Sequence, residues 1–311
     1  MIVQFASASI EESLSRPMVR VNEAVILAGG SGTRMLPASL FVPKETLPLV
    51  DTPLINHLIW EASRAGASKI HLVLSERKKE LLDQFIGGSS IHGPEVRSDL
   101  PRESLSFGTE GVEIIPHVQA SARGVADAIS VVAEQIEGPF LVILGDMLML
   151  ERHLGPNFSG TENASRASQE LVSSFEKTGL PCVGVCAVEP SDLINYGVVE
   201  LSDNLVIDIV EKPSHSEAPS MFVLCGRYLL PERTSDILDL FPVSEFGEMQ
   251  SIYFLKFLME NGGLNAVKLD HMKMYDSGDP LTWLISQIDH ALRREDIGPD
   301  LRDWILGRMR E

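Results

Sequence analysis

Apolar residues recur along this chain in two rhythms, and their alternation predicts the architecture. Short apolar runs at residues 24–28 and 140–144 have the length of buried strands, and residues 69–74 and 112–115 read as strands beside them. Between them the spacing changes. After Thr52-Pro53, residues Leu54, Ile55, Leu58, Ile59 and Ala62 recur at helical intervals, and Gly66 ends that helix. Residues 76–85 predict a second helix, and Gly124 opens a third with the stripe Val125, Ala128, Ile129 and Val132. Strand alternating with helix is the sign of a parallel sheet covered on both faces.

Residues 87–110, rich in Gly, Ser, Pro and alternating charges, read as a surface excursion. Residues 152–180 are polar, with one helix near 168–177, and mark a soft boundary between two halves. Strands then dominate, at 182–188, 198–201, 205–210 and 221–228. Helices follow at 233–240 and 248–261, strands at 264–269 and 272–275, and helices at 281–292 and 301–310. Residues 1–22 form an N-terminal extension, with a short helix at 9–15, and residues 293–311 form a C-terminal helix. The domain between them, 23–292, divides into halves of about 23–150 and 181–292. No internal repeat or low-complexity tract stands out.

Composition narrows the choices. A chain of 311 residues that is 44% hydrophobic and 23% charged suits a soluble globular protein. Its net charge of −18 argues against a nucleic-acid partner, which needs a basic face. No apolar run approaches the ~20 residues of a membrane span, and the first twenty residues do not form a signal-peptide core, so a cytoplasmic location is expected. Cys182, Cys186 and Cys225 suit a reducing compartment. Cys182 and Cys186 are expected to be buried small hydrophobes, because neither His nor a second Cys pair accompanies them.

The strand ending at Ala28 runs straight into Gly29-Gly30-Ser31-Gly32, which carries the first candidate chemistry. Glycines let backbone approach another molecule closely, and successive amide N–H groups in such a turn form an anion-binding concavity. Arg34 follows the turn, and Lys44 lies between Pro43 and Pro48. Amides with two fixed cations suit a polyphosphate, although a glycine turn after a strand often serves structure alone. Met35 stands where G-x-G-x-x-G needs its third glycine, which disfavours an NAD-binding Rossmann protein, and GxxxxGK[ST] is absent.

Three more sites carry chemistry. Asp146 lies just past the end of a buried strand, where open α/β sheets place ligands; a turn former or helix cap is its ordinary reading. Asp276, in KMYDSGDPLTW, also reads as a turn residue, and Asp279 is placed to cap the next helix. Glu211 and Lys212 are adjacent at a strand end, so their side chains should point to opposite sides. An ordinary solvated pair before Pro213 is the alternative.

The extended pattern GGSGTRMLP…PKETLP, with FLVILGD, E-K-P after a strand and NYGVVEL before it, resembles the sugar-1-phosphate nucleotidyltransferases. The resemblance is greatest to the bacterial-type UTP–glucose-1-phosphate uridylyltransferases and covers residues 23–290. It implies a three-layer, Rossmann-like α/β fold around a mixed, mainly parallel sheet, with a smaller sugar-side subdomain. The activity it implies joins UTP and α-D-glucose 1-phosphate into UDP-glucose and pyrophosphate, with Mg²⁺ and no covalent intermediate. Arg34 and Lys44 would neutralise the triphosphate and Lys212 the attacking phosphate; Asp146 and Asp276 would hold the metal. Ala28, Gly29, Gly30, Gly32 and Thr33 would cradle the nucleotide. Gln119 and Gly124 would read its base, a Gln amide offering both a donor and an acceptor. Glu211 and Gly197 would meet the sugar. The family's habit implies a homodimer or homotetramer.

The chain departs from that pattern in places. Ser39-Leu40 replaces Thr-Lys, so one cation is missing; Asp127 replaces a His, and Asp279 an Asn. Gln250-Ser251-Ile252-Tyr253 replaces Gln-Leu-Thr-Asp, which removes a polar residue near the sugar. Two alternatives therefore stay open: a thymidylyl-, adenylyl- or other sugar-1-phosphate transferase, and a non-catalytic homologue that binds a sugar nucleotide as a regulatory or assembly subunit.

Overall fold

The computed structural model describes residues 20–86, 100–105, 110–247 and 250–310. The helix expected at 9–15 and most of the excursion at 87–110 lie outside the described residues.

The first half folds as its rhythm predicts. In order come β1 (Glu23–Leu27), a small hairpin of β2 (Pro48–Leu49) and β3 (Thr52–Pro53), α1 (Leu54–Arg64), β4 (Lys69–Leu74), α2 (Glu76–Ile86), β5 (Glu113–Val118), α3 (Val125–Ala133) and β6 (Phe140–Leu144). Strands β5, β4, β1 and β6 lie side by side and are parallel. The second half supplies β7 (Met147–Leu150), α4 (Ala167–Thr178), β8 (Cys182–Ala187), β9 (Gly197–Ser202), β10 (Leu205–Glu211) and β11 (Phe222–Leu230). Then follow α5 (Thr234–Leu238), α6 (Val243–Phe246), α7 (Gln250–Glu260), β12 (Asn265–Lys268), β13 (Lys273–Asp276), α8 (Pro280–Arg293) and α9 (Gly298–Arg308).

One sheet runs through both halves, in the order β5-β4-β1-β6-β11-β8-β12-β10-β9. Strands β11 and β10 run against the others, so the sheet is mixed and mainly parallel in strand direction. Alternate residues of a buried strand face opposite layers. On β1, Ile26 joins a core with Ile55, Leu58 and Leu171 from α1 and α4. Val25 joins the opposite core with Ile129, Val132 and Phe254 from α3 and α7. The result is the expected three-layer sandwich.

Local signals behave as the chemistry requires. Asp279 caps α8, its Oδ1 accepting from the N–H groups of Leu281 at 2.9 Å and Thr282 at 3.1 Å. All three cysteines are buried and unpaired, and burial pushes the thiols of Cys182 and Cys186 up to about 12. On the α1–α4 side, Arg227 of β11 reaches Glu61 of α1 in a bidentate pair, at 2.7 and 2.9 Å. Ser168 of α4 donates to the same carboxylate at 2.6 Å. This buried network ties α1 and α4 to the strand that joins the two halves of the sheet.

Candidate active site

The site forms at the carboxyl ends of β1 and β6, the edge at which open α/β sheets bind ligands. Ala28 follows β1 with its N–H bonded to the Val73 carbonyl at 2.8 Å, and the glycine turn leaves the sheet from there. Gly32 takes a φ of +65°, a conformation that glycine adopts without penalty. Gly30 is open on its Cβ side: a methyl there would meet no protein atom within 4 Å. The 3₁₀ turn Thr33–Met35 then buries Met35 and leaves Thr33 and Arg34 exposed.

Lys44 lies in a later 3₁₀ turn, Lys44–Thr46, and is buried. Its Nζ sits 2.6 Å from Oδ2 of Asp146, just past β6. Burial pushes the Asp146 carboxyl up, but the Lys44 ammonium, aided by Arg34, outweighs it and holds the group below the ordinary carboxylate range.

Asp276 arrives on β13, which pairs antiparallel with β7 in a two-stranded sheet that sets Asp276 opposite Met147. Ser277 locks this placement, donating to the Asp146 carbonyl through its N–H at 2.9 Å and its hydroxyl at 3.1 Å. The carboxylate of Asp276 accepts from the Gly278 N–H at 2.6 Å and the Tyr196 hydroxyl at 3.4 Å. Burial, and then the nearby Asp146 charge, push its pKa up against the Gly278 hydrogen bond. Two acids from distant parts of the chain are thus close enough to oppose each other's ionisation. A methyl on Gly278 would lie 2.8 Å from Asp276 Oδ1 and 3.0 Å from an Arg34 guanidinium nitrogen, which fixes Arg34 beside this pair.

Two cavities lie on either side of the Lys44–Asp146 contact, Asp146 lining one and Lys44 the other. One, of about 230 Å³, is lined by Arg34, Asp146, Gly197, Glu211, Lys212 and Asp276 among others. The other, of about 260 Å³, is lined by Gly29, Gly32, Lys44, Lys78 and Gln119 among others. The expected triphosphate cations are therefore divided: Lys44 faces the second cavity, and Arg34 the first. Glu211 ends β10 opposite Gly197 of β9, where a Cβ on Gly197 would lie 3.1 Å from Glu211 Oε2.

Two expectations need correction. Glu211 and Lys212 do not point to opposite sides. Lys212 leaves the strand at φ +43°, and its Nζ comes within 3.9 Å of Glu211 Oε1. Alternation fails because the extended backbone ends between them. Gln119 does not offer a free donor together with a free acceptor. Its Nε2 donates to Asp127 Oδ2 at 2.6 Å and lies 3.4 Å from the Gly124 carbonyl.

Lys78 is the site residue that sequence reasoning missed. Buried on α2, its Nζ donates to the Ala28 carbonyl at 2.7 Å and to both oxygens of Glu45 at 2.8 and 2.9 Å. Burial is the largest influence on both groups, pushing Glu45 up and Lys78 down, while each partner's charge works against the other's shift. The pair fastens the glycine turn to the segment that carries Lys44.

A parallel β-layer ending in a glycine turn, with cations and two facing acids beyond it, is built to hold and join phosphates. The chain belongs to the nucleotidyl transferase family, whose model matches residues 23–263. Within that class its resemblances are specific. The UTP–glucose-1-phosphate uridylyltransferase of Staphylococcus epidermidis is 30% identical over 298 residues, covering 93% of this chain and 98% of the relative. The UTP-bound UGPase from Acinetobacter baumannii superposes with a TM-score of 0.74 at 25% identity, over 92% of this chain and 99% of the other. A UDP-glucose pyrophosphorylase complexed with UDP-glucose gives 0.73 at 25% identity, over 87% of this chain and 98% of the other.

Proposed function

We propose that this protein is a UTP–glucose-1-phosphate uridylyltransferase. A phosphate oxygen of α-D-glucose 1-phosphate attacks the α-phosphorus of UTP in line. The bond from that phosphorus to the α–β bridging oxygen breaks, and pyrophosphate leaves with UDP-glucose as the other product. No covalent enzyme intermediate is needed, because positioning and charge neutralisation supply the catalysis. The observation that supports this reading is the Lys44–Asp146 pair, one partner lining each of two cavities. A nucleotide on the glycine-turn side and a sugar phosphate on the Glu211 side would have their reacting phosphates at that border.

In this reading Ala28, Gly29, Gly30, Gly32 and Thr33 cradle the triphosphate, Gln119 and Gly124 meet the base, and Gly197 and Glu211 meet the sugar. Lys44 and Arg34 neutralise the nucleotide phosphates from the two sides, and Lys212, on the exposed rim, draws in the attacking phosphate. Asp146 and Asp276 fit Mg²⁺, an ion that takes one or two carboxylates and fills its shell with phosphate oxygens and water. Their mutual repulsion is what a divalent cation relieves. No group of three or more His, Cys, Asp or Glu able to hold a metal occurs among the described residues. When bound, Mg²⁺ would withdraw charge from the phosphate oxygens.

Pyrophosphate release across a matrix of nucleoside triphosphates and sugar 1-phosphates tests the proposal. UTP with glucose 1-phosphate should give the highest kcat/KM, and Asp146→Asn should abolish turnover in a folded protein. A different preferred pair, or UDP-glucose binding without turnover, would overturn it. A homodimer or homotetramer belongs to the same proposal, supported by Leu281, Leu284, Ile285 and Ile288, which form one exposed apolar face on α8; gel filtration at monomer size would refute it. A cytoplasmic location is supported by the three buried, unpaired cysteines.

A further inference from the structure

We propose that Asp127 sets base selectivity by locking the Gln119 amide in one orientation. The inference rests on the reading that Gln119 meets the nucleotide base. Gln119 is held at both ends. Its backbone N–H donates to the Leu74 carbonyl at 2.8 Å, and its side-chain nitrogen donates to Asp127 Oδ2 at 2.6 Å, a far shorter bond than the 3.4 Å one to the Gly124 carbonyl. Asp127 is itself buried in the first turn of α3, and its other oxygen takes the guanidinium of Arg123 at 2.8 Å.

A carboxylate can only accept hydrogen bonds. It therefore holds the NH₂ of Gln119 against itself and turns Oε1 the other way. That oxygen lies over Gly29, 2.7 Å from where a Cβ would stand, at the wall of the glycine-turn cavity. The bare glycine is what leaves room for it. No donor among the described residues reaches this oxygen, so the cavity is offered a fixed acceptor.

Set opposite the ring N3, as this proposal places it, a fixed acceptor discriminates among pyrimidines. Uracil and thymine carry an N3–H donor and satisfy it; cytosine carries a lone pair at N3 and opposes it. Were the amide free to turn, it would present its NH₂ and tolerate the cytosine edge. Asp127 is thus a positioning residue: it acts on the base through Gln119.

The test measures kcat/KM for UTP, TTP and CTP with glucose 1-phosphate in the wild type, Asp127→Ala, Asp127→Asn and Gln119→Ala. The wild type should strongly prefer UTP to CTP. Asp127→Ala should lower the UTP:CTP ratio by about tenfold or more, since a polar mismatch of this kind is worth at least one such factor. The UTP:TTP ratio should stay unchanged, because both bases present the same N3–H. Asp127→Asn has the same shape but can turn either face to Gln119, so it should lower the UTP:CTP ratio part of the way; it decides the matter if the Ala variant does not fold. An equal loss on all three nucleotides, or an unchanged UTP:CTP ratio, would overturn the proposal. If Gln119→Ala also leaves UTP:CTP untouched, the base-site reading itself fails. If Gln119→Ala alters the ratio and the Asp127 variants do not, only the lock fails.

Discussion

Replacing Lys78 by Met deletes a cation but keeps the apolar stem. The Glu45 carboxylate, 2% exposed, then loses the partner at 2.8 Å, and the Ala28 carbonyl loses its donor at 2.7 Å. Removing one member of a buried ion pair costs about 3–5 kcal/mol, and the orphaned carbonyl moves the expectation to the upper end of that range. Against a total stability of about 5–15 kcal/mol this is a large fraction. Urea unfolding followed by tryptophan fluorescence, with Trp60 fully buried, reads the loss. Glu45→Gln in the same background removes the stranded charge, so the double variant should recover at least about 1 kcal/mol.

The pH dependence gives a second check. Without Lys78, burial holds the folded pKa of Glu45 above its ordinary value of 4.5 with less opposition. The folded state then keeps a proton that the unfolded chain releases. The deficit of Lys78→Met is therefore smallest below pH 4.5 and grows as pH rises through the folded pKa. A variant within about 1 kcal/mol of wild type at pH 8, or a deficit that shrinks with rising pH, would refute the reasoning.

Other perturbations have distinct outcomes. The folded pKa of Asp276 is raised, so stability present below its unfolded pKa is lost as pH rises through the folded one; Asp276→Asn should narrow that fall in Tm with rising pH while abolishing pyrophosphate release, and a Tm that falls as steeply as in the wild type would contradict this. Arg227→Met strands Glu61 and should cost about 3–5 kcal/mol in urea unfolding, more than Glu61→Gln/Arg227→Met together. Gly145→Ala would drive a methyl to 2.6 Å from the Leu27 carbonyl, so a loss of about 1–3 kcal/mol is expected, and a neutral result would show that the β1–β6 junction is softer than its geometry.

The layers of the fold were legible because burial on both faces makes β1, β4 and β6 short and mostly apolar, without a break in β6, whereas the helices between them need only a stripe. β7 was not, since Met147–Leu150 simply prolongs the apolar run of β6 past Gly145-Asp146. The glycine turn, Asp146 and Asp276 were legible as candidates, but their convergence depends on the β7–β13 pairing, which no local pattern encodes. Lys78 hides in the charged run Glu76–Glu80, which reads as a solvated helix face. A signal was present all the same: Lys78 stands four residues before the buried Leu82, on the apolar stripe of α2. A charge on such a stripe calls for a buried partner. Glu211 and Lys212 show the converse error, because period-two reasoning holds only while the strand lasts.

The departures from the family pattern fall where they leave the joining of phosphates intact. Leu40 is 53% exposed in the turn Ala38–Leu40, and its neighbour Ser39, not Leu40 itself, lines the glycine-turn cavity. Tyr253 packs among aromatic rings, its centroid 4.9 Å from that of Phe246, while Ser251 and Ile252 line the Glu211 cavity. Asp127 stands behind Gln119 rather than in the cavity. Each change therefore alters what surrounds the substrates, whereas Arg34, Lys44, Asp146, Lys212 and Asp276 all line one or other of the two cavities flanking the Lys44–Asp146 contact. A chain that had abandoned turnover for binding alone would have no use for a second carboxylate at Asp276, whose ionisation costs stability and which would repel an anionic sugar nucleotide unless a cation lay between them. The presence of both half-buried acids beside an intact glycine turn is the physical reason to favour an enzyme over a regulatory homologue.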